Sequence, residues 1–366
     1  MLLRMRSVVA VGVAVLLGTA TLDAQSAPAA DSARALLTAR GIPGGQVVIY
    51  RGDERRTVVN VAFGFANVDS SRAVTSDTRF RVGSISKLFT ALAVAQLWEA
   101  GRVNLDAPVQ TLVPEFNPSA EGVTIRRLAG HIAGVRHYIP RDFMRAPQRF
   151  EDVIAPLAIF SADTLIAPPD TRYHYTSFGY NLLGAVVQRA SGEEYRAYLT
   201  RTIFTPFGMT HTVAERSDSA IADLSLGYDG GRGTPLRVAQ RTDLSDRWPS
   251  GGYLSTATDL ARFADQVVRR ISVSPEIRDL SFTSMRTADG KETGVGFGWR
   301  VGADAEGRVV YHHGGASVGG RAMLVVWRDL PIAVAITTNL SNAAITERDA
   351  MALGQLVMTP AERARR

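Results

Sequence analysis

The 366-residue sequence contains no cysteine, and only two of its 41 basic residues, Lys87 and Lys291, are lysine. The absence of cysteine excludes disulfide bonds, thiolate metal sites, iron–sulfur clusters and a cysteine nucleophile. The scarcity of lysine matters because arginine stays protonated in proteins and cannot act as a base. A lysine that persists in this arginine-rich chain is therefore a candidate for chemistry that needs a neutral amine.

The sequence also lacks a membrane-spanning stretch outside its N-terminus. The apolar run there, Ser7–Gly18, is 12 residues long, whereas a transmembrane helix needs about 20. Two arginines precede it and small, polar residues follow it, which is the layout of a secretory signal peptide. We predict a signal peptide over residues 1–24, cleaved after Ala24 or, as second choice, after Ala29, with an uncleaved anchor as the alternative. The mature protein would be secreted or periplasmic, with no stable membrane span.

Composition and charge bear on the class of protein and on its possible partners. Apolar residues make up 46% of the chain and charged residues 21%, as in soluble globular proteins. The net charge of +6 is spread along the chain without basic runs, so we expect no nucleic-acid partner. The six histidines show no metal-ligand spacing, and we expect neither a metal nor another cofactor.

Strand patterns lie near both ends of the chain and helical patterns lie in the middle. Two β-rich runs flank a turn at residues 51–54, and further runs follow Gly294. We predict an α/β (α+β) fold in one domain over residues 25–366. Both chain ends, at about 30–80 and 290–366, would build one antiparallel sheet flanked by terminal helices, with a helical subdomain inserted at about 105–285. A site would lie in the groove between the sheet and the insert.

The stretch "GSISKLFTALAVAQLWEAG", Gly83–Gly101, predicts the catalytic helix. Ser84 and Lys87 are three residues apart and would share one face near the positive end of the helix dipole. The helix is apolar on nearly all sides and should be buried, which favours the neutral form of Lys87. We interpret Ser84 as a nucleophile and Lys87 as its base. The alternative is a helix-capping serine with a lysine that extends to solvent.

Two further stretches supply candidate partners. "RYHYTSFGYNLLG" places Tyr175 in a polar turn before an apolar helix, where a tyrosine can relay a proton. "VVYHHGGASVGG" places His312 and His313 at a strand end before two glycines, which suits an oxyanion hole. We predict the N–H groups of Ser84 and Gly315 as oxyanion donors and His312 as the residue that orients the substrate. The alternatives are a packing tyrosine and an ordinary glycine-rich turn.

Two other matches are rejected. Residues 315–319 spell G-x-S-x-G, but a nucleophile elbow joins a strand to a helix. Here the following "RAMLVVWRD" is typical of a strand, and no histidine follows His313. "KETG", Lys291–Gly294, is polar and precedes the strand pattern, so we interpret it as a loop.

Taken in order, Ser84-x-x-Lys87, Tyr175-x-Ser177 and His312-His313-Gly314-Gly315 resemble the three signatures of the penicillin-binding-protein-like serine hydrolases. That family includes class C β-lactamases, D-alanyl-D-alanine carboxypeptidases and related esterases. "LWEAGRVNLDAPVQTLVPEF" and "GHIAGVRHY" are very similar to the mitochondrial-type serine β-lactamase-like proteins and their bacterial relatives. The resemblance implies a β-lactamase/transpeptidase-like fold and an acyl-enzyme, and it allows for a homo-oligomer or filament.

The sequence departs from class C β-lactamases at two places that the resemblance assigns to substrate binding. Ser177 stands where those enzymes have asparagine, and His312-His313-Gly314 stands where they have Lys-Thr-Gly. In the family these groups hold the amide and carboxylate of a β-lactam, so we expect weak β-lactam hydrolysis at most. We predict a serine hydrolase acting on a peptide or amide. An esterase for small acyl esters, or a non-catalytic binding or assembly protein on the same fold, stays open.

Overall fold

The computed structural model describes residues 26–117, 122–143, 148–269 and 272–365. The predicted signal peptide and its cleavage after Ala24 lie outside the described residues, and Ala29 lies within the first helix. The strands are β1 (Gly44–Arg51), β2 (Arg56–Asn67), β3 (Arg72–Ala73), β4 (Phe80–Arg81), β5 (Val213–Ala214), β6 (Tyr228–Gly231), β7 (Thr234–Val238), β8 (Tyr253–Ser255), β9 (Arg300–Ala303), β10 (Val309–Ser317), β11 (Gly320–Trp327) and β12 (Ile332–Thr338).

The helices are numbered in the same way. They are α1 (26–39), α2 (Ser86–Glu99), α3 (Ile125–Ala129), α4 (Pro140–Phe143), α5 (Phe178–Ser191), α6 (Tyr195–Leu199), α7 (Trp248–Gly251), α8 (Ala257–Val268), α9 (Pro275–Phe282), α10 (Glu347–Leu356) and α11 (Pro360–Arg363). A 3₁₀ helix of one turn, Gly83–Ile85, leads directly into α2. No helix in the described part of the chain has the length and hydropathy needed to cross a membrane.

One antiparallel sheet joins the two ends of the chain. Its seven strands lie in the order β3-β2-β1-β12-β11-β10-β9. The join is the antiparallel pairing of β1 with β12, which brings residues near 45 next to residues near 338. The predicted architecture, an antiparallel sheet from both ends with a helix-rich region between them, is confirmed.

Both faces of the sheet are covered, and alternate residues of each strand enter different cores. All eight residues of β1 are buried. Val48 and Tyr50 pack into the larger core, which contains α2, α5 and α8. Val47 and Ile49 pack into a second core with α1 and α10. Because successive side chains in a strand point to opposite faces, odd and even positions of a strand serve different sides of the sheet.

The region between the sheet halves contains short strands that the sequence did not reveal. β4, β8 and β5 form a three-stranded sheet, and β6 pairs with β7 as a hairpin. Strands of two to five residues are too short to show a clear alternation of apolar and polar side chains. The strand expected from Gly294 begins only at Arg300, since the glycine-rich segment before it is irregular.

Helix α2 crosses the interior between the sheet and the inserted helices. Lys87 and the next eight residues are all buried, as expected for a helix that is apolar all round. The helix stops at Glu99, and Gly101 follows with φ +70°. The prediction of a buried helix carrying Lys87 is confirmed, and its N-terminal turn faces the edge of β10.

Candidate active site

Ser84 lies in the 3₁₀ turn at the start of α2, where N–H groups have no partner within the helix. The preceding Gly83 has φ +49°, and a Cβ on it would lie 2.6 Å from backbone atoms of Ala316 in β10. Only glycine allows this approach, because both the backbone angle and the close contact exclude a side chain. Ser84 itself is half-buried and lines a cavity of about 340 Å³.

Lys87 makes three short polar contacts. Its Nζ lies 3.1 Å from Ser84 Oγ, 3.0 Å from Ser177 Oγ and 2.7 Å from the Ser250 carbonyl oxygen. The side chain is fully buried, and no ion pair with a carboxylate forms at Lys87 among the described residues. Burial, together with the charge of Arg300, therefore lowers the pKa of Lys87 well below its usual value. The amine is poised to be neutral.

The three contacts fix the direction of one hydrogen bond. A neutral amine offers two N–H donors and one lone pair, and the Ser250 carbonyl can only accept, so it takes one N–H. One N–H and the lone pair remain for the hydroxyls of Ser84 and Ser177. One of these serines must therefore donate its proton to Lys87. When Ser84 is the donor, the arrangement is that of a nucleophile and its base.

Tyr175 lies next to both Ser84 and Lys87. Its ring centroid is 5.0 Å from Lys87 Nζ, and its side chain is hydrogen-bonded with Ser84. Burial raises the pKa of Tyr175 to about 12, although the hydrogen bond and the charge of Arg300 act the other way. The phenol thus keeps its proton at neutral pH and can give it to a leaving group. The expected neighbourhood of Ser84, Lys87, Tyr175 and Ser177 is present.

The two adjacent histidines lie on opposite faces of β10, and the prediction for His312 is wrong. His312 faces α10, near Glu347 and Gly302. His313 instead faces the site, with its ring centroid 6.4 Å from that of Tyr175. The reason is the two-residue alternation of a strand: adjacent side chains point to opposite faces, so only one of these two histidines faces the site.

His313 is a neutral acceptor in this position. Its Nδ1 lies 2.7 Å from the Gly314 carbonyl oxygen, which can only accept, so Nδ1 carries the proton. Burial lowers the pKa of His313 to about 3, so Nε2 is left as an unprotonated acceptor at neutral pH. Gly314 points to the other face, where a Cβ would meet Met323.

The geometry moves the second oxyanion donor from Gly315 to Ala316. The Val309 carbonyl accepts from Arg328 of the β11 side, so odd-numbered backbone groups of β10 face β11 and the N–H of Gly315 belongs to that ladder. Even-numbered groups face β9, whose pairing ends at His312. The N–H of Ala316 therefore points to the open edge beside Gly83. Gly315 serves a steric role instead, since a Cβ there would lie 1.9 Å from the Val82 carbonyl oxygen.

Several site residues were missed in the sequence. Ser250 contributes a backbone carbonyl and Ala316 a backbone N–H, and such groups carry no residue-type signal. Tyr138 lies at the cavity wall, where its hydroxyl is 3.1 Å from Ser250 Oγ. It stands in the stretch "GHIAGVRHY", whose resemblance to family sequences was the available clue.

Arg300 provides a test of the charge state of Lys87. Its guanidinium carbon lies 5.6 Å from the Tyr175 ring centroid, and its positive charge lowers the pKa of Lys87. Arg300→Gln should raise that pKa, so more Lys87 is protonated at a given pH and the acidic limb of kcat/KM moves to higher pH. We expect activity within that limb to fall several-fold. The pH dependence of kcat/KM on an uncharged ester measures this shift. Arg300→Lys keeps the charge and should leave the acidic limb at the wild-type pH. An acidic limb that does not move in Arg300→Gln would contradict the prediction.

The chain is similar in sequence to several known proteins. The mitochondrial serine beta-lactamase-like protein LACTB of Bos taurus is 29% identical over 320 residues, which are 66% of this chain and 57% of that protein. The chain thus spans a little over half the length of its curated mitochondrial relatives. Penicillin-binding protein 4 of Amycolatopsis lactamdurans is 31% identical over 83% of both chains.

A solved structure shows the same fold. The octameric penicillin-binding protein homologue from Pyrococcus abyssi superposes with a TM-score of 0.75 at 27% identity, covering 88% of this chain and 75% of that one. The sequence model of the beta-lactamase family matches residues 29–357, which is nearly the whole described chain. The site thus combines a serine at the start of a helix, a buried lysine and the edge of a strand, and it lies in a fold that matches that of the homologue. The chain belongs to the beta-lactamase family.

Proposed function

We propose that this protein is a serine hydrolase that works through an acyl-enzyme, with Ser84 as nucleophile and Lys87 as its base. The observation that carries the proposal is the 3.1 Å contact between Ser84 Oγ and the Nζ of a fully buried lysine. A buried amine without a carboxylate partner is a base at neutral pH, whereas the same group on the surface would be a cation.

The residues support a complete reaction cycle. Ser84 Oγ forms a bond to the substrate carbonyl carbon while its proton passes to Lys87 Nζ. The N–H groups of Ser84 and Ala316 stabilise the oxyanion. Tyr175 gives a proton to the leaving group as the scissile bond breaks, and Lys87 restores it. Water then attacks the acyl carbonyl carbon and loses a proton to the same groups. The bond between that carbon and Ser84 Oγ breaks, Oγ takes the proton back, and the carboxylic acid leaves.

A peptide or amide is our preferred substrate class. An amine leaving group must be protonated as it departs, and Tyr175, whose pKa is raised by burial to about 12, holds a proton for that purpose. Esters require the same acyl transfer with a better leaving group, so esterase activity is the second candidate. Ser177, and His312-His313-Gly314, stand at the places where class C β-lactamases have asparagine and Lys-Thr-Gly, and this favours weak β-lactam hydrolysis at most.

The proposal is tested by labelling with a fluorophosphonate probe. We expect the wild-type protein to be labelled at Ser84 and to hydrolyse p-nitrophenyl acetate, and we expect Ser84→Ala to lose both. Ser86→Ala is a control for the label, because Ser86 Oγ faces the Gly83 carbonyl instead of Lys87. Full hydrolysis and labelling by Ser84→Ala would disprove the mechanism. Comparing turnover of peptide amides with that of matched esters then decides between the two substrate classes.

A further inference from the structure

Two histidines, the buried His131 and the half-buried His137, bind the backbone that follows Tyr175. The N–H of Thr176 donates to His131 Nδ1 at 3.2 Å, and the N–H of Ser177 donates to His137 Nδ1 at 3.1 Å. These are the two peptide groups that follow Tyr175 and lead into Ser177, whose hydroxyl contacts Lys87. The two ring nitrogens thus control the path of the backbone between two groups of the site.

Further bonds join the same two segments. The N–H of His174 donates to the His131 carbonyl at 2.8 Å, and the Thr176 hydroxyl donates to the Arg136 carbonyl at 2.6 Å. Arg136 is itself held by ion pairs with Asp142 and Asp163. Residues 131–137 are therefore anchored, and four hydrogen bonds hold residues 174–177 to them: one from His174, two from Thr176 and one from Ser177.

The hydrogen bonds from the backbone N–H groups of Thr176 and Ser177 require a defined protonation state of the two histidine rings. A backbone N–H can only donate, so Nδ1 must be unprotonated in both histidines and the proton of each neutral ring lies on Nε2. Burial lowers the pKa of His131 well below its usual value and that of His137 to about 4. Both rings are therefore neutral at physiological pH, as the hydrogen bonds require.

The rings also contact the tyrosine directly. The His131 ring centroid is 4.5 Å from that of Tyr175, and the His137 ring meets the same ring edge-on at 5.6 Å. His131 adopts φ +59°, a left-handed conformation that is unfavourable for a residue with a side chain. The surrounding contacts hold this conformation, and it directs the imidazole under Tyr175 and toward Thr176.

We propose that His131 and His137 are positioning residues, a histidine clasp that holds Tyr175 and Ser177 at Ser84 and Lys87. The inference rests on the proposed function, because it assigns the clasp to the proton path of that reaction. The clasp acts by accepting two backbone hydrogen bonds. A side chain that accepts at the place of Nδ1 should replace it, whereas an apolar side chain of similar size should not.

Asparagine and leucine variants separate this role from packing. Asparagine offers Oδ1 near the position of Nδ1, while leucine fills the space without an acceptor. We expect His137→Leu to lower kcat on p-nitrophenyl acetate by about 10- to 100-fold with a similar KM, since small displacements of reacting groups cost about that much. His137→Asn should stay within about threefold of wild type, as should His211→Leu, a control histidine that contacts Thr210 and Asp77. The same pair of changes at His131 should behave alike. Equal losses in the asparagine and leucine variants, or no loss in either, would overturn the clasp.

A second measurement uses the wild-type protein, so it depends neither on activity nor on whether a variant folds. In protein labelled with ¹⁵N-histidine, the clasp predicts that His131 and His137 both appear as neutral rings protonated at Nε2 at pH 7. A proton on Nδ1 of either ring would overturn it. If the wild-type protein neither labels nor hydrolyses any ester, the proposed function fails while the ring protonation still decides whether the clasp exists.

Discussion

Replacing Lys87 with arginine should lower kcat by about 10³-fold on esters and amides alike. Arginine keeps the positive charge and the hydrogen-bonding capacity, but its guanidinium does not give up a proton in proteins. The loss would therefore isolate proton acceptance from charge. Steady-state hydrolysis of p-nitrophenyl acetate and the rate of fluorophosphonate labelling measure it, since both depend on activation of Ser84.

The chain offers a matched control for that substitution. Lys291 is the only other lysine and is exposed, so Lys291→Arg should leave both rates unchanged. Because Lys87 is fully buried, arginine could also disturb folding; Lys87→Met, which keeps the length without charge, should show a comparable loss, with melting curves recorded for both. A Lys87→Met protein that folds and retains wild-type kcat would rule out Lys87 as the base.

Removing the N–H of Ala316 should lower kcat by about 10²- to 10³-fold, the usual effect of losing one oxyanion donor. Ala316→Pro does this, and because that N–H faces the open edge of β10 it breaks no bond of the ladder. Ala316→Gly keeps the N–H and should retain most of the activity. The kinetics of ester hydrolysis, together with melting temperatures, test the expectation. If Ala316→Pro kept the wild-type kcat, the second oxyanion donor would have to be a group other than the Ala316 N–H.

The sequence predicted the elements whose residues carry long or unusual patterns. The β-rich runs at both ends and the apolar stretch after Ser84 were long enough to predict the sheet and α2. Lys87 was recognisable because arginine replaces lysine almost everywhere else in the chain. Short strands such as β5 and β8 carried no such pattern, and their pairing with β4 depends on residues distant in sequence.

The adjacent histidines show where sequence reasoning stops. The residue types indicated a polar strand end next to glycine, but β10 continues through both glycines to Ser317, and only its pairing with β9 ends at His312. Which histidine faces the site, and which N–H is free, depends on the phase of β10 within the sheet. That phase is set by the pairing of β10 with β11, and the pairing of β10 with β9 ends at the pair His312 and Arg300. A shift of one residue exchanges the two faces of a strand, so His312 and Gly315 were assigned in place of His313 and Ala316.

The order of residue types along the chain was thus sufficient for the family, the antiparallel sheet built from both ends, and the pairing of Ser84 with Lys87, because these depend on local spacing and on long apolar patterns. Tertiary structure alone decided the rest. It buried Lys87 against the Ser250 carbonyl, turned His313 and the N–H of Ala316 toward Ser84, and placed His131 and His137 behind Tyr175. Each of these depends on the position of one backbone relative to another, and hydrogen bonds to backbone groups leave no mark on residue type.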